Sequence, residues 1–311
     1  MIISASRRTD IPAFYSEWFF KRIKEKFVLV RNPMNMRQIS RINLSADVCD
    51  GIVFWTKNPI PMLDRLDEIS EYPYYFQFTL NAYGKDIEKN VPSKADFLIP
   101  AFIKLSEMIG KERVVWRYDP IIFNKNYTFD YHCKYFELLA QKLHSYTDKC
   151  IISFLDNYRS IGRNMQLLHV SDISDSRKYE LVGKMADTAK KYGFFIETCA
   201  EIIELKSLGV NKAKCIDAER LEKISGIKLK TKKDKSMRKE CGCAESIDIG
   251  LYNSCQAGCM YCYANHSEKA LCNNIKMHDS LSPLLSGNLC ENDIVKERNV
   301  KSLKDSQISL F

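Results

Sequence analysis

Apolar and polar positions follow two different periods along the chain. Short apolar or β-branched runs occupy residues 2–6, 51–55, 74–80, 113–118, 150–155, 194–198 and 246–252. Several are almost unbroken, as strands buried on both faces should be, which predicts a parallel sheet. Between them lie longer stretches with helical spacing. Over residues 16–27, Phe19, Phe20, Ile23 and Phe27 recur on one face, with Lys21, Lys24 and Lys26 on the other. That pattern predicts an amphipathic helix. Residues 95–109, 130–146 and 176–192 behave alike, and Gly110 and Gly193 stand where a left-handed residue would end a helix.

Strand–helix alternation repeated in this way predicts an α/β fold, a full or partial (β/α) barrel of about seven parallel strands. Two strand ends look alike: Trp55–Ile60 and Trp116–Ile121 each reach a proline that stops the strand. Barrels of this kind do chemistry at the C-terminal ends of their strands. There the sequence offers Arg7, Arg8 and Asp10, then Lys57, Asn81, Arg117, Asp119 and Cys199. Arg117 and Asp119 follow a strongly apolar run and precede Pro120, so they are expected at the mouth, acting on a ligand or substrate.

The length of 311 residues suits one or two domains, and 45% hydrophobic with 28% charged residues is an ordinary globular mix. The expected division is a barrel over residues 1–254, a cysteine loop with its following segment over 255–290, and a polar tail over 291–311. No stretch approaches the ~18 apolar residues of a membrane span, and the first residues lack an apolar core before a cleavage site. A cytoplasmic protein with no membrane partner is therefore expected. A net charge of +8 favours polyanions where the excess is clustered. Residues 228–239 cluster it, with seven Lys or Arg against Asp234 alone. Phosphate-binding glycine loops, GxSxG elbows and HExxH pairs are absent from the sequence. His132 and His144 fall on a predicted helix and read as packing or surface residues.

Twelve cysteines are the anomaly. With no secretory signal they argue for a reducing compartment and for thiolate ligands rather than disulfides. Cys255, Cys259 and Cys262 form CxxxCxxC directly after the last predicted strand. Three thiolates in one short loop can ligate three irons of a [4Fe–4S] cluster and leave the fourth without a protein ligand. An alternative is zinc, with His266 completing a tetrahedral set. Cys199, Cys215, Cys241 and Cys243 form a second group able to hold another cluster or zinc.

The CxxxCxxC loop at a strand end, with Tyr261 before its third cysteine, resembles the signature of the radical S-adenosylmethionine (SAM) enzymes. The resemblance implies that the open iron chelates SAM, that Tyr261 lies near the adenine, and that a reductant such as flavodoxin or ferredoxin supplies electrons. It further implies a radical that removes a hydrogen atom from the substrate. Those enzymes carry the cysteine loop after the first strand, whereas here it follows the last, which implies a circular permutation. Their second strand presents a Gly-Gly-Glu-like segment to the SAM amino group. Ser6, Arg7, Arg8 and Asp10 occupy that location here and become the expected SAM contacts. Over nearly the whole chain, ASRRTDIPAFY, WTKNP, WRYDP and CGCAESIDIGLYNSC resemble a bacterial family known as domain-of-unknown-function family 1848. The YCYA ending resembles spore photoproduct lyase, a DNA-repair enzyme. Gln307, Leu310 and Phe311 resemble the short peptides that dock on the bacterial DNA sliding clamp. Together these imply DNA as a candidate substrate. The competing class is a non-catalytic zinc or iron–sulfur protein that binds nucleic acid through residues 228–239.

Overall fold

The computed structural model describes residues 1–156 and 161–305. The chain begins with β1 (Ile2–Ala5), α1 (Ile11–Phe14) and α2 (Ser16–Glu25), followed by the hairpin β2 (Phe27–Asn32) and β3 (Asn35–Asn43). Next come β4 (Gly51–Thr56), α3 (Ile60–Leu63), β5 (Tyr74–Thr79), α4 (Ile99–Ile109) and β6 (Val114–Ile121). Then follow α5 (Phe129–Leu143), β7 (Lys149–Phe154), α6 (Gly162–Leu167), α7 (Asp175–Tyr192) and β8 (Phe195–Thr198). The chain continues through β9 (Asn211–Lys212), α8 (Ala218–Ser225), β10 (Ile247–Asp248), α9 (Glu268–Lys276) and β11 (Ile294–Glu297).

Eight of these strands form one parallel sheet in the order β10-β1-β4-β5-β6-β7-β8-β9. Each strand from β1 to β9 in this sheet lies beside its predecessor, and β10 returns to the other flank of β1, with Ile3 opposite Ile247. Strand pleating divides the side chains by parity. Ile3, Phe54, Phe76, Phe78, Trp116 and Ile152 face α2, α4, α5 and α7, and build the larger core with Trp18, Phe102, Phe136 and Met185. Ile2, Val53, Tyr75, Val115 and Ile151 face the other way. They pack under Cys215, Leu221, Cys241 and Cys243. Both faces are covered, which explains the unbroken apolar runs.

The seven expected strands are all present, and β9 makes the eighth. The helix expected over 16–27 stops at Glu25, because Lys26 turns left-handed at φ 61° and Phe27 opens β2. Phe27 fits the helical period from Ile23, so periodicity alone extends the helix too far. The hairpin β2–β3 pairs antiparallel, and β11 adds to it in parallel. Gly193 ends α7 left-handed, as its position suggests, while Gly110 closes α4 with ψ near the extended range, at φ 92° and ψ 142°.

The stretch expected as a polar tail is in part structured. Beyond β11, the Ser302 hydroxyl and the Leu303 N–H both donate to Asp50 at 2.6 Å. Gln307, Leu310 and Phe311 lie outside the described residues. Among the described residues, no helix is long and apolar enough to cross a membrane.

Candidate metal and ligand site

Polar side chains gather where the parallel strands end. Asp10 follows β1 and caps α1, accepting the Ala13 N–H at 3.0 Å and the Lys57 N–H, just past β4, at 2.7 Å. One carboxylate thus ties two neighbouring strand ends together. Burial pushes its pKa up to about 6, against the pull of those donors. The Lys57 ammonium reaches Glu88 Oε1 at 2.8 Å and the Tyr261 hydroxyl at 2.6 Å. Lys94 holds the other Glu88 oxygen at 2.7 Å. Burial favours a neutral Glu88, but the two ammonium groups outweigh it and hold the carboxyl at about 2. Asn81, just past β5, donates to the Asp119 carbonyl at 2.9 Å and to the Tyr261 hydroxyl at 3.3 Å.

The CxxxCxxC loop lies against this network. Tyr15 donates to the Ser254 carbonyl at 2.6 Å, the Asn90 N–H to the Ala257 carbonyl at 3.1 Å, and the Met260 N–H to the Ile87 carbonyl at 2.9 Å. Gly258 adopts φ 65°, a left-handed conformation that favours glycine, and a Cβ there would press on Asn90 Nδ2 at 3.0 Å. Burial pushes the Cys255, Cys259 and Cys262 thiols up, Cys259 to about 12 despite the neighbouring Lys57. Undissociated thiols in such surroundings need a cation to become thiolates, and metal coordination supplies one. The donor set therefore fits a thiophilic metal or an iron–sulfur cluster. His266 stands in hydrogen-bond contact with Asn253, Nε2 to Nδ2 at 3.2 Å. That contact occupies one of the two imidazole nitrogens that a tetrahedral zinc set could use. Among the described residues, no three His, Cys, Asp or Glu side chains converge on one point as a single metal ion would require.

The second thiol group lies on the other face of the sheet. Cys199 and Cys215 approach to 3.4 Å between sulfurs, and Cys243 accepts the Ile216 N–H at 3.3 Å. Hydrogen bonds from Cys199 and Cys243 hold the Cys215 thiol well below its usual range, with Arg117 assisting. A hydrogen bond from Cys243 likewise lowers Cys241, to about 6. Arg117 donates to Cys215 Sγ at 3.1 Å, to Gln77 Oε1 at 3.1 Å and through Nε to Asp119 Oδ2 at 3.0 Å. Asp119 also accepts the Ser153 hydroxyl. All four cysteines of this group thus share one core, and a buried guanidinium faces them.

Sequence reasoning located Cys255, Cys259, Cys262, Tyr261 and Asp10 in one region, and the structure brings them there. It turns the hydroxyl of Tyr261 inward to Lys57 and Glu88. Ser6, Arg7 and Arg8 gather around Asp248 at the end of β10, where Ser6 donates at 2.6 Å and the Arg7 N–H at 2.9 Å. Glu88 went unrecognised. It lies in a loop well past β5, and only its burial at 1% exposure marks it.

The model of a domain of unknown function, DUF1848, matches residues 2–264, more than half of the chain. The chain belongs to the DUF1848 family. The matched DUF1848 region includes the whole eight-stranded sheet and ends just beyond Cys262. No curated protein and no solved structure matches this DUF1848 chain.

Proposed function

We propose that the protein is a radical SAM enzyme whose [4Fe–4S] cluster is held by Cys255, Cys259 and Cys262. The observation that carries this reading is a loop of three half-buried thiols, beside the ends of parallel strands, next to the Asp10, Lys57 and Glu88 network. When bound, such a cluster supplies the electron that opens the sulfonium of SAM. The chain's own residues do the rest. Asp10 fixes the β1 and β4 ends, Lys57 lowers the charge cost of thiolates, and Glu88 with Tyr261 and Asn81 keeps Lys57 in place. The strand order supports a permuted barrel, with β10 in the place of a first strand and β1 in the place of a second. Cys199, Cys215, Cys241 and Cys243 are the ligand set for a second cluster, with Arg117 offsetting its negative charge. DNA is the candidate substrate class, supported by the net charge of +8. That support is modest, because Lys228, Lys230 and Arg238 are already paired with Glu222, Asp305 and Asp156.

Iron analysis of anaerobically purified protein tests both thiol sets. About eight irons per chain are expected for two four-iron clusters. Replacing Cys255, Cys259 and Cys262 by Ala should halve the iron and abolish 5′-deoxyadenosine formation from SAM. Undiminished 5′-deoxyadenosine formation in that variant removes the proposal. Replacing Cys241 and Cys243 should also lower iron, and full retention there removes the second cluster. A colourless protein with stoichiometric zinc would favour the nucleic-acid-binding alternative.

A further inference from the structure

Between the β10 flank of the main sheet and the β2–β3 hairpin lies a cavity of about 310 Å³, whose lining includes Arg7, Arg8, Arg31, Arg298, Asp234 and Asp248. That volume is at the small end of ligand pockets, about 300–1,000 Å³. The four guanidinium groups are not equivalent. Arg31 is committed to Asp293, with two hydrogen bonds of 2.8 Å. Arg7 donates to Met237 Sδ at 2.9 Å and Ser246 Oγ at 3.3 Å, with Asp234 3.8 Å away.

The two acidic residues are largely satisfied without the remaining arginines. Asp248 accepts from the Ser4 and Ser6 hydroxyls and from the N–H groups of Arg7 and Gly250. Asp234 accepts from the Ser236 hydroxyl and N–H. Arg8 is left with Asp248 at 4.0 Å, beyond hydrogen-bond range, and with the face of Tyr252 at 5.0 Å. Arg298 is exposed, and its backbone N–H is bonded to the Arg41 carbonyl at 2.9 Å. Among the described residues, neither the Arg8 nor the Arg298 guanidinium donates a hydrogen bond. With Arg31 neutralised by Asp293, three lining arginines against two lining aspartates leave a net positive charge. Two guanidinium forks whose N–H groups have no hydrogen-bond acceptor, in a positively charged lining, match an anion with several acceptor oxygens.

We propose that this cavity binds the phosphate of a small phosphomonoester through Arg8 and Arg298. Phosphate binding here requires neither iron nor SAM, and it assigns Arg8 to this cavity rather than to the SAM contact expected from the resemblance. Arg8 stacks on Tyr252, three residues before Cys255, so the bound ligand would lie beside that loop.

Calorimetric titration of the purified full chain tests this, with inorganic phosphate and ribose 5-phosphate as probes and ribose and acetate as controls. Both phosphates should bind, ribose should not, and acetate should bind more weakly. Arg8→Gln and Arg298→Gln should each weaken phosphate binding about tenfold, as expected for charged hydrogen bonds. Added salt should weaken it further. Arg41→Gln should bind as the wild type does, because Arg41 is paired with Glu297 at 2.6 Å and does not line the cavity. Exposed Arg298 can be replaced without disturbing the fold, so its variant decides the question even if Arg8→Gln is unstable. Absence of phosphate binding, equal binding of acetate, or wild-type affinity in Arg298→Gln overturns the proposal.

Discussion

Gly250 joins β10 to the cysteine loop, and its missing side chain is a measurable part of the fold. An ideal Cβ there would lie 2.1 Å from Ser6 Oγ, 2.6 Å from Ser6 Cβ and 3.1 Å from Thr9 Cγ2. Gly250→Ala must therefore push Ser6 aside. Overpacking of this kind costs about 1–3 kcal/mol. Displacing Ser6 also breaks its 2.6 Å bond to Asp248, and a hydrogen bond to a charged group contributes about 1.5–3 kcal/mol. A loss of roughly 2.5–6 kcal/mol is expected from these two effects together. Urea unfolding at neutral pH measures it as a lower midpoint with an unchanged slope. Partner variants separate the contributions. In a Ser6→Ala background the Cβ at 2.6 Å remains, so Gly250→Ala should still cost about the packing share, 1–3 kcal/mol. In a Ser6→Gly background both Ser6 atoms are gone and only Thr9 Cγ2 at 3.1 Å remains close. Alanine should then cost less than in either other background, the remaining Thr9 contact being offset by roughly 0.4–1 kcal/mol of lost unfolded-state freedom. A cost for Gly250→Ala that is the same in all three backgrounds would refute the steric account, since coupling between contacting sites is what the cycle reads.

His132 gives a pH signature. Its Nε2 stands 2.8 Å from the Ile122 carbonyl, which can only accept, so Nδ1 accepts the Tyr118 hydroxyl at 2.9 Å. Burial holds its pKa down at about 4. The neutral ring therefore contributes stability that is full above about pH 6.5 and is lost as pH falls toward 4, on the order of 3 kcal/mol. Unfolding free energies measured between pH 7 and 4 should show that fall, and His132→Leu should flatten it. Arg117→Met should destabilise by about 3–5 kcal/mol, because it strands Asp119 beside buried groups. A midpoint in urea equal to the wild type would show that Asp119 finds another partner.

The strands facing helices were legible because each is apolar on both faces, so Phe54, Phe76 and Trp116 stand out beside Val53, Tyr75 and Val115. The hairpin was not. In β3 only two of nine residues, Ile39 and Ile42, are buried, so the strand carries no apolar run, and the run in β2 merged with the period of α2. The two-residue β9 and the exposed β11 are too short or too polar to leave a signal. At the site, cysteine spacing announced itself, since thiols in one loop are local in sequence. Glu88 was silent, because its pairing with Lys57 and Tyr261 brings together residues distant in sequence, contacts that no local period encodes. Arg117 was found for its place at a strand end. Its sulfur contact arises from residues nearly a hundred positions away.

The partnership of β1 with β10 sets an order of events during synthesis. Ser4 must wait for Asp248, 244 residues later, before its hydroxyl finds a partner. Until then β1 leaves the ribosome with one flank open, and an open strand edge is a template for pairing with the wrong chain. Contacts this distant in sequence also slow folding, since a long loop must close before any gain is felt. The CxxxCxxC loop emerges later still, when most of the sheet already exists. Any metal would thus be loaded onto a nearly finished fold rather than nucleate it, and slow translation or delayed closure would be repaid in aggregation of the nascent chain.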